Sequence, residues 1–341
     1  MRVALGHEIK DGPWGGGNQF ARALADRLVQ RGHGVVFDLT DDDIDVIVMV
    51  DPRRSHPTVT IRPPDILRYW RRWPTCAVVH RINECDERKG TRSMNFRLRL
   101  ANYVADHTVF IASWLKDLRV WRPADGKGCS VILNGADPAV FHADGQRPWS
   151  GAEPLRLVTH HWGGNSMKGF DVYDLLDRMM GEPEWRRRLD FTYVGNLPSG
   201  YAFRHARHVA PLAGPALGDA LRQAHSYVTA SVNEPAGMHH IEGALCGLPL
   251  LYRRSGALPE YCQGFGEGFD GVEDFPAALQ RMMAAYAGHR AAMPGYDRTA
   301  QRMADGYIDL FEQLARDGAA IAARRRPWRN PLLRLLNLIR W

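Results

Sequence analysis

Short apolar runs of β-former character alternate with amphipathic helical runs along nearly the whole chain, and the pattern starts twice. Candidate strands in the first half are Arg2–Leu5, Gly34–Asp38, Val46–Val50, Cys76–Arg81, His107–Ala112 and Ser130–Leu133. After the first of these a helix is expected from about Asn18 to Arg31. Phe20, Leu24 and Leu28 then share one face, and Gly32 closes the helix. Pro148–Pro154 is mostly polar and reads as a linker. The alternation then restarts with Leu155–Thr159, a Gly-rich turn and a helix from about Lys168, followed by strands at Phe191–Val194, Ser226–Thr229 and Leu250–Tyr252. Such alternation fits parallel sheets with crossover helices. The expected fold class is therefore α/β, with two doubly wound Rossmann-like domains, 1–150 and 151–323, facing a cleft, and a tail at 324–341. In such sheets ligands bind outside the carboxyl ends of the strands.

At one such end lies E-P-A-G-M-H-H-I-E-G-A-L-C-G-L-P, in which seven residues separate Glu234 from Glu242. The segment reads as a loop entering a helix. Pro235 suits a first helical position, Gly237 lets the backbone approach a ligand, Met238 to Leu245 continues as helix, and Gly247 ends it. Eight residues at helical rise cover roughly 12 Å, about the length of a sugar–diphosphate–ribose unit. The free N–H groups and dipole of the helix start suit a diphosphate. Glu234 would hold sugar hydroxyls on one side of it and Glu242 ribose hydroxyls on the other. A capping glutamate and a surface helix acid are the plain alternative.

The neighbouring motifs make the pair specific. In order the chain carries G-G-G-N-Q-F (15–20), V-V-H (78–80), I-A-S-W-L-K (111–116) and V-I-L-N-G-A-D-P-A-V-F (131–141). M-K-G-F-D (167–171), Y-V-G-N (193–196), S-V-N-E-P-A-G (231–237) and S-G-A-L-P-E (255–260) follow. This order resembles family four of the retaining glycosyltransferases, which have the GT-B fold, over residues 1–315. The resemblance implies transfer of a sugar from a nucleotide-diphosphate sugar to an acceptor hydroxyl by a same-face mechanism. It also implies that the helix of about Asp297–Arg316 returns to the first domain and that His80 contacts the transferred sugar. One departure stands out. Many members carry an arginine five residues before the lysine matching Lys168, and here that place is Gly163. His161, Asn165 and Arg204 are candidates to supply the missing phosphate contact.

Lys168, at the start of its helix after a glycine turn, would pair with the diphosphate as a point charge. An exposed first-turn lysine is the alternative. Gly15, Gly16 and Gly17 permit a tight turn and close backbone approach to a phosphate or acceptor, or merely link strand to helix. Their spacing is not G-x-G-x-x-G, which argues against a nicotinamide cofactor. His80 can equally be a satisfied strand-end histidine. Arg81, Asn83, Glu84 and Asp86 after it form either an acceptor pocket or a solvated loop. Asp41, Asp42, Asp43 and Asp45 precede a strand and read as a solvated turn. The pairs His160–His161 and His239–His240 lack a closed ligand set with cysteine, so neither zinc nor another metal is expected. Base contacts would be backbone groups near His208–Ala210.

Charge locates a second feature. The chain has 44 basic and 38 acidic residues, a net charge of +6. Six of the arginines (Arg324, Arg325, Arg326, Arg329, Arg334, Arg340) lie in 324–341, which has no acid, so the remaining body carries 38 of each sign. A neutral body argues against nucleic acid as a partner. In the tail Arg334, Asn337 and Arg340 recur every three residues beside a wide leucine face, with Trp328 and Trp341 flanking it. Eleven residues reach only about 16 Å, too short to span a bilayer. An anionic membrane surface is the favoured partner; docking on the chain's own body or a dimer partner is the alternative. Five scattered cysteines and no apolar leader point to a reducing cytosol, with the chain peripheral at the inner face of the membrane. The leading reading is a retaining glycosyltransferase of lipid-linked or cell-surface glycan synthesis. A nucleotide-sugar epimerase of the same fold and a non-catalytic nucleotide-sugar-binding protein are the rivals.

Overall fold

The computed structural model describes residues 1–12, 15–53, 56–121 and 127–325. It divides into two compact units, residues 1–134 with 300 onward, and residues 135–299. Each is built on a six-stranded, wholly parallel sheet.

In the first unit the strands are β1 (Arg2–Leu5), β2 (Gly34–Val36), β3 (Val46–Met49), β4 (Ala77–Ile82), β5 (His107–Phe110) and β6 (Gly128–Val131), in spatial order β2-β1-β3-β4-β5-β6. A parallel sheet is covered on both faces, so its central strands are apolar throughout instead of alternating. β3 shows this: Val46 and Val48 join one core, Ile47 and Met49 the other. The first core packs under the helix Gly16–Gln30, whose Phe20, Leu24 and Leu28 are fully buried. The helix Ala300–Arg316 lies beside it, with Phe20 and Tyr307 edge to face at 5.1 Å and Arg27 forked onto Asp305 at 2.9 Å.

The second unit contains β7 (Leu155–His161), β8 (Leu189–Gly195), β9 (Arg207–Val209), β10 (Ser226–Thr229), β11 (Leu250–Arg253) and β12 (Gly266–Phe269), ordered β12-β11-β10-β7-β8-β9. The order reverses between β7 and β10, which pair directly, Leu157 with Ser226 and Val158 with Tyr227. This adjacency places the loops after β7 and β10 together.

The boundary between units falls at 134/135, ahead of the expected 150/151. Residues 135–150 pack on the second unit: Gln146 Nε2 donates to Ala224 O at 3.0 Å and the Trp149 amide to Tyr286 Oη at 3.1 Å. The expected linker is thus part of that unit's surface, and the second unit ends at Thr299; the helix Ala300–Arg316 belongs to the first unit, as the resemblance implied. The short helix Gly318–Arg324 then lies against the first unit, where a Cβ at Gly318 would stand 2.6 Å from Thr75 O. No helix among the described residues is long and apolar enough to cross a membrane. The expected amphipathic tail, residues 326–341, lies outside the described residues.

Candidate functional site

Two glycines and one left-handed asparagine bring the loops of the second unit together. After β7 the chain makes a 3-10 turn, Ser166–Lys168, and Gly169 (φ 93°) starts the helix Phe170–Gly181. A Cβ on Gly169 would meet Ala230 O at 2.3 Å, so only glycine lets this turn rest on the end of β10. The Val232 amide donates to Met167 O at 2.9 Å and ties the two loops. Asn233 has φ 48°, a conformation few side chains adopt without cost. Its amide donates to Ser255 Oγ at 2.8 Å, and the Ala257 amide donates to Glu234 O at 2.8 Å. A Cβ on Gly256 (φ 61°) would lie 2.5 Å from Glu234 N and O. The S-G-A-L-P-E segment is therefore a clasp on the Glu234 backbone.

Lys168 Nζ lies 3.9 Å from Glu234 Oε2. Lys168 ends the 3-10 turn instead of opening the helix, because Gly169 intervenes. Glu234 is 4% exposed. A Cβ on Gly237 would come within 3.1 Å of Glu234 Oε1 and 2.6 Å of His239 Nδ1. Gly237 thus packs tightly between the carboxylate and the His239 ring, where a side chain would collide. The helix here is His239–Leu245, one residue shorter than expected; Met238 precedes it, and Pro235 stays in the loop and not at its first turn. Gly247 (φ 79°) follows the helix end, and its amide donates to Ala244 O at 2.8 Å.

Glu242 lies 2% exposed with His160 Nε2 2.6 Å from its Oε2. Around this pair the two histidine doublets converge. His161 and His239 rings are 4.6 Å apart, His239 and His240 5.0 Å. His161 Nε2 meets Tyr173 Oη at 2.8 Å, and His239 Nε2 meets Thr229 Oγ1 at 2.8 Å. His240 is fully buried, with no hydrogen-bond partner among the described residues for either ring nitrogen. Burial drives its pKa down to about 4 and that of His239 well below the ordinary value. Both of these last two rings, His239 and His240, are therefore neutral at physiological pH. Among the described residues no group of three or more His, Cys, Asp or Glu could hold a metal ion.

The structure thus joins Lys168, Glu234, Gly237 and Glu242 through one histidine-rich wall. Arg204 is exposed in the loop before β9, its amide held by Asp177 Oδ2 at 2.8 Å. His161 is buried against Tyr173, so its ring serves the wall. The Asn165 carbonyl accepts the Lys168 amide at 3.0 Å. At Gly163 an added Cβ would meet Lys168 Cε at 3.8 Å and Asn165 Nδ2 at 3.6 Å, ordinary contact distances. A side chain there would stand beside Lys168. Trp162, 54% exposed, precedes it.

Gly16, Gly17 and His80 belong to the first unit. Gly15 (φ 80°) makes the turn, while Gly16 and Gly17 open the helix. A Cβ on Gly17 would stand 3.7 Å from the His7 ring. His7, Asp51, Arg53 and Thr58 gather at the ends of β1 and β3, where this sheet's order also reverses. His7 Nδ1 is 3.2 Å from Thr58 Oγ1, and Arg53 Nε donates to Asp51 at 3.0 Å. Burial lowers the His7 pKa to about 4. His80 is fully buried under the opposite face of the sheet, its Nδ1 2.9 Å from Asn102 Oδ1, and burial lowers its pKa to about 4. Its ring is wholly covered in this conformation, and its Nε2 has no hydrogen-bond partner among the described residues.

Sequence reasoning did not single out Tyr227, Gly243 or the clasp on Glu234. It met His160 only as half of a rejected zinc pair.

No protein-family profile matches the chain, and no curated protein matches it in sequence. Solved structures do. Sucrose-phosphate synthase of Thermosynechococcus elongatus superposes with a TM-score of 0.62 at 15% identity, covering 92% of this chain and 99% of that one. Anabaena HepE, solved in complex with UDP, gives 0.64 at 12% identity over 92% and 99%. A glycosyltransferase of Rickettsia africae gives 0.62 at 10% identity over 92% and 97%. The chain has the GT-B fold, with two Rossmann-like domains.

Proposed function

We propose that this chain is a retaining glycosyltransferase that moves a sugar from a nucleotide-diphosphate sugar to an acceptor hydroxyl. The observation that carries the reading is the Lys168–Glu234 pair at the switch point of the second sheet, the place where open α/β sheets take nucleotides. A diphosphate there would meet Lys168 as its counter-charge. The same anion would be repelled by Glu234, which is left to accept hydrogen bonds from sugar hydroxyls. The sugar C1–oxygen bond would break with its electron pair passing to the terminal phosphate oxygen, which Lys168 stabilises. The acceptor oxygen would bond to C1 on the same face, and its proton would pass to the departing phosphate. Glu234, already beside a lysine, fits a hydroxyl-binding role better than a nucleophile's.

The acceptor fits the first unit, at the switch point lined by His7, Asp51, Arg53 and Thr58. Tail arginines Arg326, Arg329, Arg334 and Arg340 favour an acceptor presented at an anionic membrane, such as a lipid-linked glycan. Binding of the donor would need no metal, since Lys168 supplies the positive charge.

The test is product analysis with candidate nucleotide sugars and acceptors in the presence of a chelator. Transfer with retained anomeric configuration is expected. Donor isomerisation without acceptor, inverted product, or turnover that chelator abolishes and manganese restores would each refute the reading.

A further inference from the structure

Glu242 is not simply a carboxylate on a helix. Its Oε2 lies 2.6 Å from His160 Nε2, and the far side of that ring faces Tyr227 Oη at 3.1 Å from Nδ1. A carboxylate only accepts, so Nε2 carries the proton in this bond. Tyr227 Oη also accepts the His160 backbone amide at 3.0 Å, and its own proton faces Nδ1 at 3.1 Å, with the His160 carbonyl farther off at 3.4 Å. The ring is held from both ends and cannot turn without breaking these bonds. Its face is closed by Tyr227, edge to face at 5.6 Å, and by His239 at 6.3 Å.

Helix and strand are shaped for this chain of bonds. A Cβ on Gly243 would lie 2.3 Å from Tyr227 Cδ2. The glycine after Glu242 therefore lets the tyrosine ring lie flush on the helix carrying the carboxylate. Tyr227 is fully buried, and the three side chains come from three elements: β10, the end of β7 and the helix His239–Leu245.

We infer that Tyr227 and His160 are positioning residues that fix the Glu242 carboxylate in the orientation from which it takes ribose hydroxyls. This rests on the proposed nucleotide-sugar site. Glu242 has several rotatable bonds, and a buried carboxylate without this anchor would lose its fixed direction. Held by the Nε2–H bond, it keeps a constant set of lone pairs for the 2′- and 3′-hydroxyls.

The test is discrimination between ribose and deoxyribose, measured by calorimetry with uridine, guanosine and adenosine diphosphates and their 2′-deoxy counterparts. The wild-type chain is expected to prefer the tightest-binding ribonucleotide over its deoxy form by about tenfold, the size of one charged hydrogen bond. Glu242→Ala should abolish the preference. His160→Phe should reduce it to about twofold or less, and His160→Gln, which can offer an amide N–H, should restore part of it. A merely structural role would lower both affinities alike. Where His160→Phe fails to fold, Tyr227→Phe decides, with partial loss of the preference expected. No ribose preference in the wild type, or its survival in Glu242→Ala, overturns the ribose role of Glu242 and this inference with it. Preference lost in Glu242→Ala but intact in folded His160→Phe, or in Tyr227→Phe, overturns the inference alone.

Discussion

Replacing Arg325 by alanine is expected to destabilise the first unit by about 3 kcal/mol. Arg325 Nε donates to Asp106 Oδ1 at 2.8 Å, and a second nitrogen donates to Asp106 Oδ2. Its remaining donors reach the Pro74 and Cys76 carbonyls at 2.6 Å each, and the guanidinium lies 3.9 Å over the Trp70 ring. Both charged side chains are only 10% exposed. Removing one partner of a largely buried pair costs about 3–5 kcal/mol. The lower end applies because the Val78 amide still serves Asp106 Oδ2 at 2.8 Å. For a unit of this size each kcal/mol moves the melting midpoint by about 2–4 °C, so a drop of roughly 6–12 °C is expected. Circular dichroism and calorimetry at pH 7 measure it. Raising salt from low to moderate should leave most of the difference, because a buried pair is weakly screened. A loss below about 1 kcal/mol, or one erased by salt, refutes the argument. The same contacts decide where the tail is cut: a chain ending at Ala323 loses this anchor, and one ending at Arg325 keeps it.

Vesicle sedimentation with the chain ending at Arg325 tests the membrane reading; loss of binding to anionic vesicles relative to the full chain is expected, and equal sedimentation refutes it. Glu234→Gln should cut turnover far more than binding of the bare nucleoside diphosphate, measured by calorimetry; parallel losses would place Glu234 elsewhere. Gly163→Arg has room for its Cβ beside Lys168 and should tighten nucleoside diphosphate binding by about tenfold through one charged hydrogen bond; unchanged affinity in a folded variant would show that this position does not face the phosphate. Burial lowers His7 and His80 to about 4, so the unfolded state binds their protons first. Stability should therefore be full above about pH 6.5 and fall toward pH 4, by about 1.4 kcal/mol per pH unit for each histidine; urea titrations on His80→Gln should show a shallower slope, and an unchanged slope refutes the assignment.

Much of the fold was legible because it depends on local periodicity. Arg2–Leu5 and Ser226–Thr229 are strands with the expected limits, and Phe20, Leu24 and Leu28 face the core. β9 and β12 were missed: R-H-V is short and polar, G-E-G-F is half glycine, and both are edge strands defined by their neighbours. The domain boundary was misplaced because a Pro- and Gly-rich surface segment looks like a linker wherever it packs. Lys168, Glu234 and Gly237 were visible as motif positions, since turn chemistry and charge are written locally.

What local pattern could not specify was which loops meet. His160 and Glu242 are 82 residues apart, and His160 and Tyr227 67 apart. They touch only because β10 pairs with β7, a crossover that no run of residues encodes by itself. The same pairing turned two histidine doublets that lack metal-ligand spacing into one buried wall, and buried His80 where a strand end alone left it open. Sequence by itself determined the repeated α/β alternation, the neutral body and the basic tail, because composition and periodicity act over a few residues. Only tertiary structure decided that Glu242 is paired with His160, whose far side meets Tyr227. Strand order sets those distances, and burial makes a hydrogen bond left unmade costly.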